Sequence, residues 1–321
     1  MRVLVTGGAG YIGSVVATRL LEQGHRVTVL DDCSTGHPDA VPAGATFVEG
    51  RVQNAAEALR GARFDAAVHL AASSLVAESI ADPGKYRANN VVGTRLLLDA
   101  LLEAGVPAIV FSSTAAVYGE PERVPIDEDA PTRPVNPYGE SKLAVDEMLA
   151  AESAQGRIGA VSLRYFNVAG AYAGLGERHR PETHLIPIAL EAALGRRPGL
   201  VVYGDDYPTP DGTCVRDYIH VADLAEAHLA ALSAVRAGTH RVYNLGNGAG
   251  FSVRDVLATV ERVTGRILET TVAQRRAGDP AVLVASSERA RRELGWSPAR
   301  PTLEEMIGDA WGVLNAPPGA S

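Results

Sequence analysis

With 321 residues, 46% of them hydrophobic and 21% charged, the chain is long enough to bury one large core or two modest ones. Its net charge of −8, without a basic stripe, argues against nucleic acid as a partner. No apolar run approaches membrane-spanning length and no signal-peptide pattern precedes the first strand, so we expect a cytoplasmic protein with no membrane partner.

A glycine-rich turn follows the first predicted strand, residues 3–5. Gly7, Gly10 and Gly13 have the spacing G-x-x-G-x-x-G, and apolar residues then recur at helical spacing from Val15 to Leu21. A strand that enters a helix through glycines directs backbone N–H groups and the positive end of the helix dipole at one point, where a diphosphate fits. Taken alone, the glycines also fit a tight corner that binds nothing.

The second predicted strand, residues 25–30, ends in Asp31 and Asp32. A carboxylate at this place accepts hydrogen bonds from the adenosine ribose hydroxyls and repels a 2′-phosphate, so it favours NAD over NADP. Asp31 also fits a polar strand end without a ligand. Because Asp31 and the glycine turn belong to one strand–helix–strand unit, together they predict an NAD site.

Strand and helix patterns then alternate, which predicts an α/β fold with a doubly wound parallel sheet of the Rossmann type. The carboxyl ends of two buried strands, Leu70-Ala71-Ala72 and Ser112-Ser113-Thr114, are expected to open into the ligand crevice. The predicted strands are 45–48, 65–70, 108–112 and 160–164, and the predicted helices are 54–60, 85–104 and 138–154.

Beyond Asn167 this alternation weakens, and Gly- and Pro-rich stretches appear at 169–184 and 203–213. We therefore expect a Rossmann domain over residues 1–167 and a smaller α/β substrate-binding cap over 168–321, with segments around 213–246 returning to the first domain. The end of the chain, 316–321, is expected to be frayed.

Two residues of the helix at 138–154 are candidates for acid–base chemistry. Asn136 can cap this helix and Pro137 can occupy its first position, which places Tyr138 and Lys142 one turn apart on one face. The neighbouring ammonium is predicted to lower the pKa of the Tyr138 phenol from about 10 toward neutrality. A solvated helix face can carry the same pair, but the nucleotide turn favours catalysis with Thr114 as a third member.

The serines before Thr114 have two interpretations. Ser112 and Ser113 are either part of the cofactor site or a polar strand end that binds its own backbone. Cys33 and Cys214 are far apart in sequence and are expected to be reduced. No His/Cys cluster for zinc is recognised, and no metal is predicted.

Several segments carry a more specific pattern: TGGAGYIGS, LDD, SSTAAVYG, NPYGESKL, YFNVAGA, YGDDYPTPDGTCVRDYIHVADLAEAH, YNLGNG and RRAGDP. Over essentially the whole chain this pattern resembles the extended short-chain dehydrogenase/reductase family, and within it the UDP-sugar 4-epimerases. The resemblance implies an isomerase with tightly held NAD that interconverts UDP-galactose and UDP-glucose. Tyr138 would remove the proton of the sugar 4-hydroxyl while hydride leaves C4, and hydride would return to the opposite face of a 4-ketose.

The same resemblance implies the binding residues and a homodimer formed by the helices at 85–104 and 138–154. Thr114 would bind the reacting sugar oxygen and Lys142 the nicotinamide ribose. The implied cofactor residues are Gly7, Gly10, Tyr11, Ile12, Gly13, Asp31, Asp32, Cys33, Ser34, Thr35, Gly36, Arg51, Val52, Leu70, Ala71, Ala72, Ser74, Asn89, Ser112, Tyr138, Lys142 and Phe166. The implied substrate residues are Thr114, Tyr138, Asn167, Tyr203, Arg216, Arg276, Asp279 and Leu283.

Three positions depart from the family pattern. Arg51 stands where an acidic residue usually contacts adenine, and Ser74 stands where many members have lysine, so weaker NAD retention is expected. Leu283 stands where some members have tyrosine, and a smaller side chain there would admit an N-acetyl group. Leu283 also fits a residue of the core.

Other functions are considered on the same scaffold. A 4,6-dehydratase would have an Asp-Glu pair after the threonine, whereas Ala115 and Ala116 follow Thr114 here and supply no general acid or base. A protein that only binds NAD would need neither Tyr138 nor Lys142. A net dehydrogenase would consume added NAD. An epimerase of UDP-N-acetylhexosamine or another UDP-sugar remains the alternative.

Overall fold

The computed structural model describes residues 1–276 and 279–316. The predicted frayed tail lies outside these residues from position 317 onward. Within them, no helix is both long and apolar enough to cross a bilayer.

A seven-stranded parallel sheet forms the centre of the molecule, with strand order β11-β6-β5-β4-β1-β2-β3. Its strands are β1 (Arg2–Thr6), β2 (Arg26–Asp31), β3 (Thr46–Glu49), β4 (Ala66–His69), β5 (Ala108–Thr114), β6 (Gly159–Tyr165) and, after β7 to β10 given below, β11 (His240–Leu245). Because the order reverses between β1 and β4, a crevice opens at the carboxyl ends of these two strands. The predicted Rossmann-type sheet is confirmed.

Helices cover both faces of this sheet, because alternate residues of each buried strand point to opposite sides. On one face, Val3 and Val5 of β1 join a core that includes α1 and α8, and on the other Leu4 joins a core with α2, α5 and α6. The helices are α1 (Tyr11–Glu22), α2 (Ala55–Leu59), α3 (Val76–Ala81), α4 (Pro83–Tyr86), α5 (Gly93–Glu103), α6 (Pro137–Ala154), α7 (Leu185–Ala193), α8 (Val221–Ala234), α9 (Val253–Thr264), α10 (Glu288–Leu294) and α11 (Leu303–Leu314).

The helix predicted over 85–104 is not continuous. A π-helical segment, Arg87–Val92, separates α4 from α5. Within it, the Asn90 amide accepts from the backbone N–H of Ser73 at 2.8 Å and donates to Ser141 Oγ at 3.0 Å. The hydrophobic spacing that predicted one helix does not report such tertiary contacts.

Short strands and three helices build the smaller part of the molecule. Helices α7, α9 and α11 share one apolar core, and both α9 and α11 begin with a capping box, Ser252 with Asp255 and Thr302 with Glu305. The strands are β7 (Asn167–Ala169), β8 (Leu200–Tyr203), β9 (Val215–Arg216), β10 (Tyr218–His220), β12 (Phe251–Ser252), β13 (Thr270–Ala273) and β14 (Val282–Leu283).

Candidate active site

The glycine turn after β1 has room only for glycine at its critical positions. Gly7 has φ +75°, and a Cβ atom there would lie 2.5 Å from the backbone nitrogen of Ala71. A Cβ at Gly13 would lie 2.0 Å from the Gly7 carbonyl oxygen. The spacing did not single out Gly8, but a Cβ atom there would lie 2.7 Å from the Val29 side chain. The turn therefore packs closely against both neighbouring strands.

Helix α1 begins directly after this turn with an open N-terminus. Gly10 is its N-cap, and within the described part of the chain no side chain caps the first-turn N–H groups. The first turn also holds no acidic residue. This donor set, close to the crevice between β1 and β4, fits the diphosphate of a dinucleotide.

Asp31 at the end of β2 connects the glycine turn to the loop that follows. Its buried carboxylate accepts backbone N–H groups from Ala9 at 2.9 Å and Cys33 at 2.8 Å. Burial raises the pKa of the Asp31 carboxyl, and these two hydrogen bonds oppose the rise. The exposed Asp32 accepts hydrogen bonds from Ser34 and lies 3.8 Å from the Arg51 guanidinium. Arg51 therefore stands beside the strand end that is predicted to bind the adenosine ribose.

The remaining predicted cofactor residues differ in their surroundings. Ser74 is exposed, while Asn89 donates to Ser73 Oγ at 3.1 Å beside it. The Tyr11 hydroxyl donates to the Gly170 carbonyl at 2.6 Å, so its side chain points to the loop after β7. Ile12 packs on the core that includes α1.

Tyr138 and Lys142 lie on the inner side of α6, as their spacing predicts. Asn136 caps the helix by accepting the Gly139 N–H at 2.9 Å. The Lys142 ammonium lies 5.9 Å from the centre of the Tyr138 ring and donates to the Ser112 carbonyl at 2.8 Å. Thr114, at the end of β5, lies close enough to the Tyr138 phenol to lower its pKa. The three candidate catalytic residues therefore form one group.

The predicted lowering of the Tyr138 pKa is wrong for the protein in this state. Burial raises the pKa of Tyr138 to about 12, and the neighbouring Thr114 hydroxyl opposes the rise only in part. Burial also lowers the pKa of Lys142 to about 8, although the nearby Asp146 carboxylate raises it. Desolvation, which sequence spacing does not report, is the largest cause of both shifts.

Behind this group lies a buried polar layer, of which sequence reasoning missed Asp146 and Arg164. The Ser112 hydroxyl lies 2.9 Å from His228 Nε2, and Ser113 donates to Asp146 at 3.2 Å. The Arg164 guanidinium donates twice to Asp146, at 3.0 and 2.9 Å. Both serine hydroxyls thus contact side chains of α8 and α6, which differs from the strand end that binds its own backbone.

Four of the predicted substrate residues form two contacting pairs. Arg216 forms an ion pair with Asp279, and the Arg276 guanidinium lies 4.1 Å above the centre of the Tyr203 ring. The side-chain amide of Asn167 donates a hydrogen bond to the backbone carbonyl of Asp217 at 2.9 Å.

Leu283 lies in β14 opposite Arg216 of β9. Together with Phe166 it packs on the apolar cluster of Val117, Tyr118 and Ile126. Phe166 is predicted to lie near the cofactor and Leu283 to lie beside the sugar, and both border the same cluster.

The model of the NAD dependent epimerase/dehydratase family matches residues 3–246. The chain belongs to this family. It is 57% identical over 314 residues to a UDP-glucose 4-epimerase of Streptomyces lividans, covering 97% of this chain and 95% of that one. It is 53% identical to a UDP-glucose 4-epimerase of Corynebacterium glutamicum over 317 residues, 98% and 96% of the two chains.

Among solved structures, UDP-glucose 4-epimerase from Brucella ovis in complex with NAD has a TM-score of 0.93 at 45% identity, covering 97% of each chain. As a member of the NAD-dependent epimerase family, this chain is an isomerase and NAD is its cofactor. The open α1 N-terminus and the acidic end of β2 fit that cofactor.

A second group of polar residues was also missed by sequence reasoning. Glu177, His179 and His184 converge in the loop between β7 and α7, with one donor atom of each within 4.8 Å of the others. The segment GERHRPETH carries the signal, but it lacks the cysteine spacing by which zinc sites are usually recognised.

Proposed function

We propose that the chain interconverts UDP-galactose and UDP-glucose by epimerisation at C4. The observation that carries the proposal is the group of the half-buried Tyr138 with the buried Lys142 and Thr114 at the carboxyl end of β5. Bound NAD would supply the hydride acceptor and donor for C4, and the positive charge of its ring would favour a nearby phenolate. Ala115 and Ala116 supply no acid or base for elimination of water.

The protein side of this reaction is transfer of one proton. Tyr138, as phenolate, takes the proton of the sugar 4-hydroxyl and later gives it back to the same oxygen. Thr114 orients that oxygen, since its hydroxyl lies beside the phenol at the end of β5. Lys142 is held by the Ser112 carbonyl, and its positive charge would favour the phenolate and bind the nicotinamide ribose.

The UDP part of the substrate is bound by the smaller part of the molecule. Arg216 and Arg276 supply guanidinium groups for the diphosphate, and Tyr203 offers an exposed aromatic face for uracil. Asp279, now paired with Arg216, binds the uridine ribose, and Asn167 contacts the sugar. This division supports an NAD domain over 1–167 with a cap over 168–321, and β11 joining the main sheet supports the return of residues around 213–246.

The first test is incubation of purified protein with UDP-galactose and no added NAD. We expect UDP-glucose to form without net NADH. Separation of the nucleotides measures UDP-glucose, and the absorbance of reduced nicotinamide measures NADH. If turnover occurs only after NAD is added, the protein retains NAD weakly, as the residues Arg51 and Ser74 predict. No turnover under either condition rejects the proposed substrate.

We also propose that the protein is a cytoplasmic homodimer. Cys33 and Cys214 are free thiols, as a reducing compartment favours. Val92 and Leu96 are 49% and 43% exposed and lie one turn apart, giving an apolar stripe that runs onto α5. Such a stripe is suited to pack against its symmetry mate.

The dimer proposal predicts that Leu96→Glu produces monomers, because it places a charge in the apolar contact. Sedimentation analysis should give two chains for the wild type and one for the variant. Val272→Glu is the control, since Val272 is 55% exposed but lies on β13. A wild type that sediments as one chain contradicts the proposal.

For substrate range, we predict that the wild type also turns over UDP-N-acetylgalactosamine because Leu283 leaves space beside the sugar. Leu283→Tyr should lower kcat/KM for this substrate by about 10-fold or more relative to UDP-galactose. The measurement is a parallel assay of both sugars with both proteins. If UDP-galactose is fast and the acetylated sugar shows no turnover in the wild type, the inference from Leu283 is wrong.

A further inference from the structure

The loop between β7 and α7 holds four potential ligand residues that the proposed reaction does not use. Glu177, His179, Glu182 and His184 occur within eight positions. Donor atoms of Glu177, His179 and His184 lie within 4.8 Å of one another, and the two imidazole centres are 5.7 Å apart. Glu182 adjoins them, with its Oε1 at 2.7 Å from His184 Nδ1.

The backbone of the loop fixes both carboxylates. Glu177 Oε1 accepts the N–H groups of Arg178 and His179 at 2.9 and 3.1 Å. Glu182 Oε1 accepts those of Thr183 and His184, both at 2.7 Å. The side chains of Glu177 and Glu182 are only 13% and 5% exposed. The loop therefore holds two desolvated negative groups in set positions, as the outer contacts of a metal site do.

The imidazole of His179 lies against Glu177 without a well-directed hydrogen bond. Its Nδ1 atom is buried and makes no hydrogen bond to any residue that the structure describes. It nevertheless lies 2.8 Å from Glu177 Oε1. A buried nitrogen and a carboxylate that meet without hydrogen-bond geometry have the lone pairs that a shared cation requires.

We propose that Glu177, His179 and His184 bind one divalent ion of the zinc class, with Glu182 or water as the fourth ligand. Two imidazoles and a carboxylate suit zinc, and four-coordination is its usual geometry. With both imidazoles neutral, the two carboxylates carry two negative charges, which the ion balances. The competing arrangement is two metal-free pairs, in which each protonated histidine binds its neighbouring glutamate.

The position of the loop gives the ion a consequence for the whole protein. Arg178 binds Asp39 through two contacts of 2.9 Å, and its carbonyl lies 3.4 Å from His37 Nε2. The ion would fix this loop against the segment that follows the predicted ribose contacts. Bound metal should therefore raise the thermal midpoint, because it binds the folded chain and not the unfolded one.

The test uses tag-free protein with its NAD, treated with chelator and then dialysed. Titration with Co²⁺ should produce the absorption of a four-coordinate ion, and elemental analysis after Zn²⁺ addition should give one zinc per chain. Zn²⁺ should raise the thermal midpoint at pH 7.5.

Variants locate the ion. Glu177→Gln and His179→Gln should each weaken metal binding by more than about 10-fold. Glutamine at 177 retains an oxygen for the two backbone N–H groups, so loss of folding does not confuse the result. Glu57→Gln makes the same change at an exposed position of α2 and should bind metal as the wild type does.

Absence of binding at micromolar Zn²⁺, or equal binding by wild type and both variants, overturns the proposal and favours the metal-free ion pairs. Because the readouts are metal content, Co²⁺ absorption and thermal midpoint, the result does not depend on whether the proposed epimerase activity is correct.

Discussion

Tyr138→Phe is expected to lower kcat for UDP-galactose by about 10²- to 10⁴-fold, the range associated with loss of a general acid–base group. Only the phenolic hydroxyl is removed, and this is the group beside Thr114. The ring of Tyr138 remains to pack edge-on against Tyr86 at 6.3 Å between centres. The measurement is initial rate at saturating substrate together with the NAD content of the purified variant.

Tyr86→Phe provides the matched control. Its hydroxyl donates to the Leu75 carbonyl at 2.6 Å and to Glu78 at 2.9 Å, away from Thr114 and Lys142. We expect lower stability but nearly unchanged kcat. If Tyr138→Phe loses its NAD as well as its activity, or if both variants lose activity equally, the proton-transfer role of Tyr138 is rejected.

Local patterns predicted the positions of these residues but not their electrostatics. The spacing of Tyr138 and Lys142, with Asn136 as cap, is a property of one helix and is present in the structure. Their pKa values depend on burial beneath the chain that covers them, and that burial reverses the predicted direction for Tyr138. The polar layer of Asp146 and Arg164 was missed for the same reason, since its members lie on α6 and β6.

Long-range pairs mark the other limit of sequence reasoning. Arg216 and Asp279 were each predicted to bind substrate, but nothing in their separation of 63 residues indicated an ion pair. The two must share or exchange partners when a diphosphate binds. The loop of Glu177 and His184 shows the converse case, because its residues are close in sequence but the loop path that makes their donors converge has no helical or strand period.

The glycine turn shows what sequence predicts well. Gly7 and Gly13 were identified because a nucleotide turn needs close backbone approach, and both lie against backbone atoms. Gly8 was passed over because its constraint comes from Val29 on the neighbouring strand. Spacing therefore identifies glycines required by the local turn, while those required by a neighbouring strand depend on the sheet register.

Gly13→Ala should be among the most disruptive single-methyl changes in the described part of the chain. The added Cβ would lie 2.0 Å from the Gly7 carbonyl oxygen and 2.9 Å from Gly8 Cα, and backbone atoms cannot rotate away as a side chain could. Separation of α1 from the turn is the only relief, and it disperses the N–H groups that bind the diphosphate. We expect a loss of about 3 kcal/mol or more in the free energy of unfolding, and purified protein without bound NAD.

Gly308→Ala separates this clash from the ordinary effect of an added methyl group. Gly308 lies within α11, and a Cβ there meets no atom within 4 Å, so alanine should stabilise the helix by about 0.5–1 kcal/mol and leave NAD bound. Urea unfolding and the NAD content of all three proteins provide the comparison. A Gly13→Ala protein that unfolds at the wild-type midpoint and retains NAD would show that the turn yields at low energy, and the close approach of α1 to β1 would then not be what holds the cofactor.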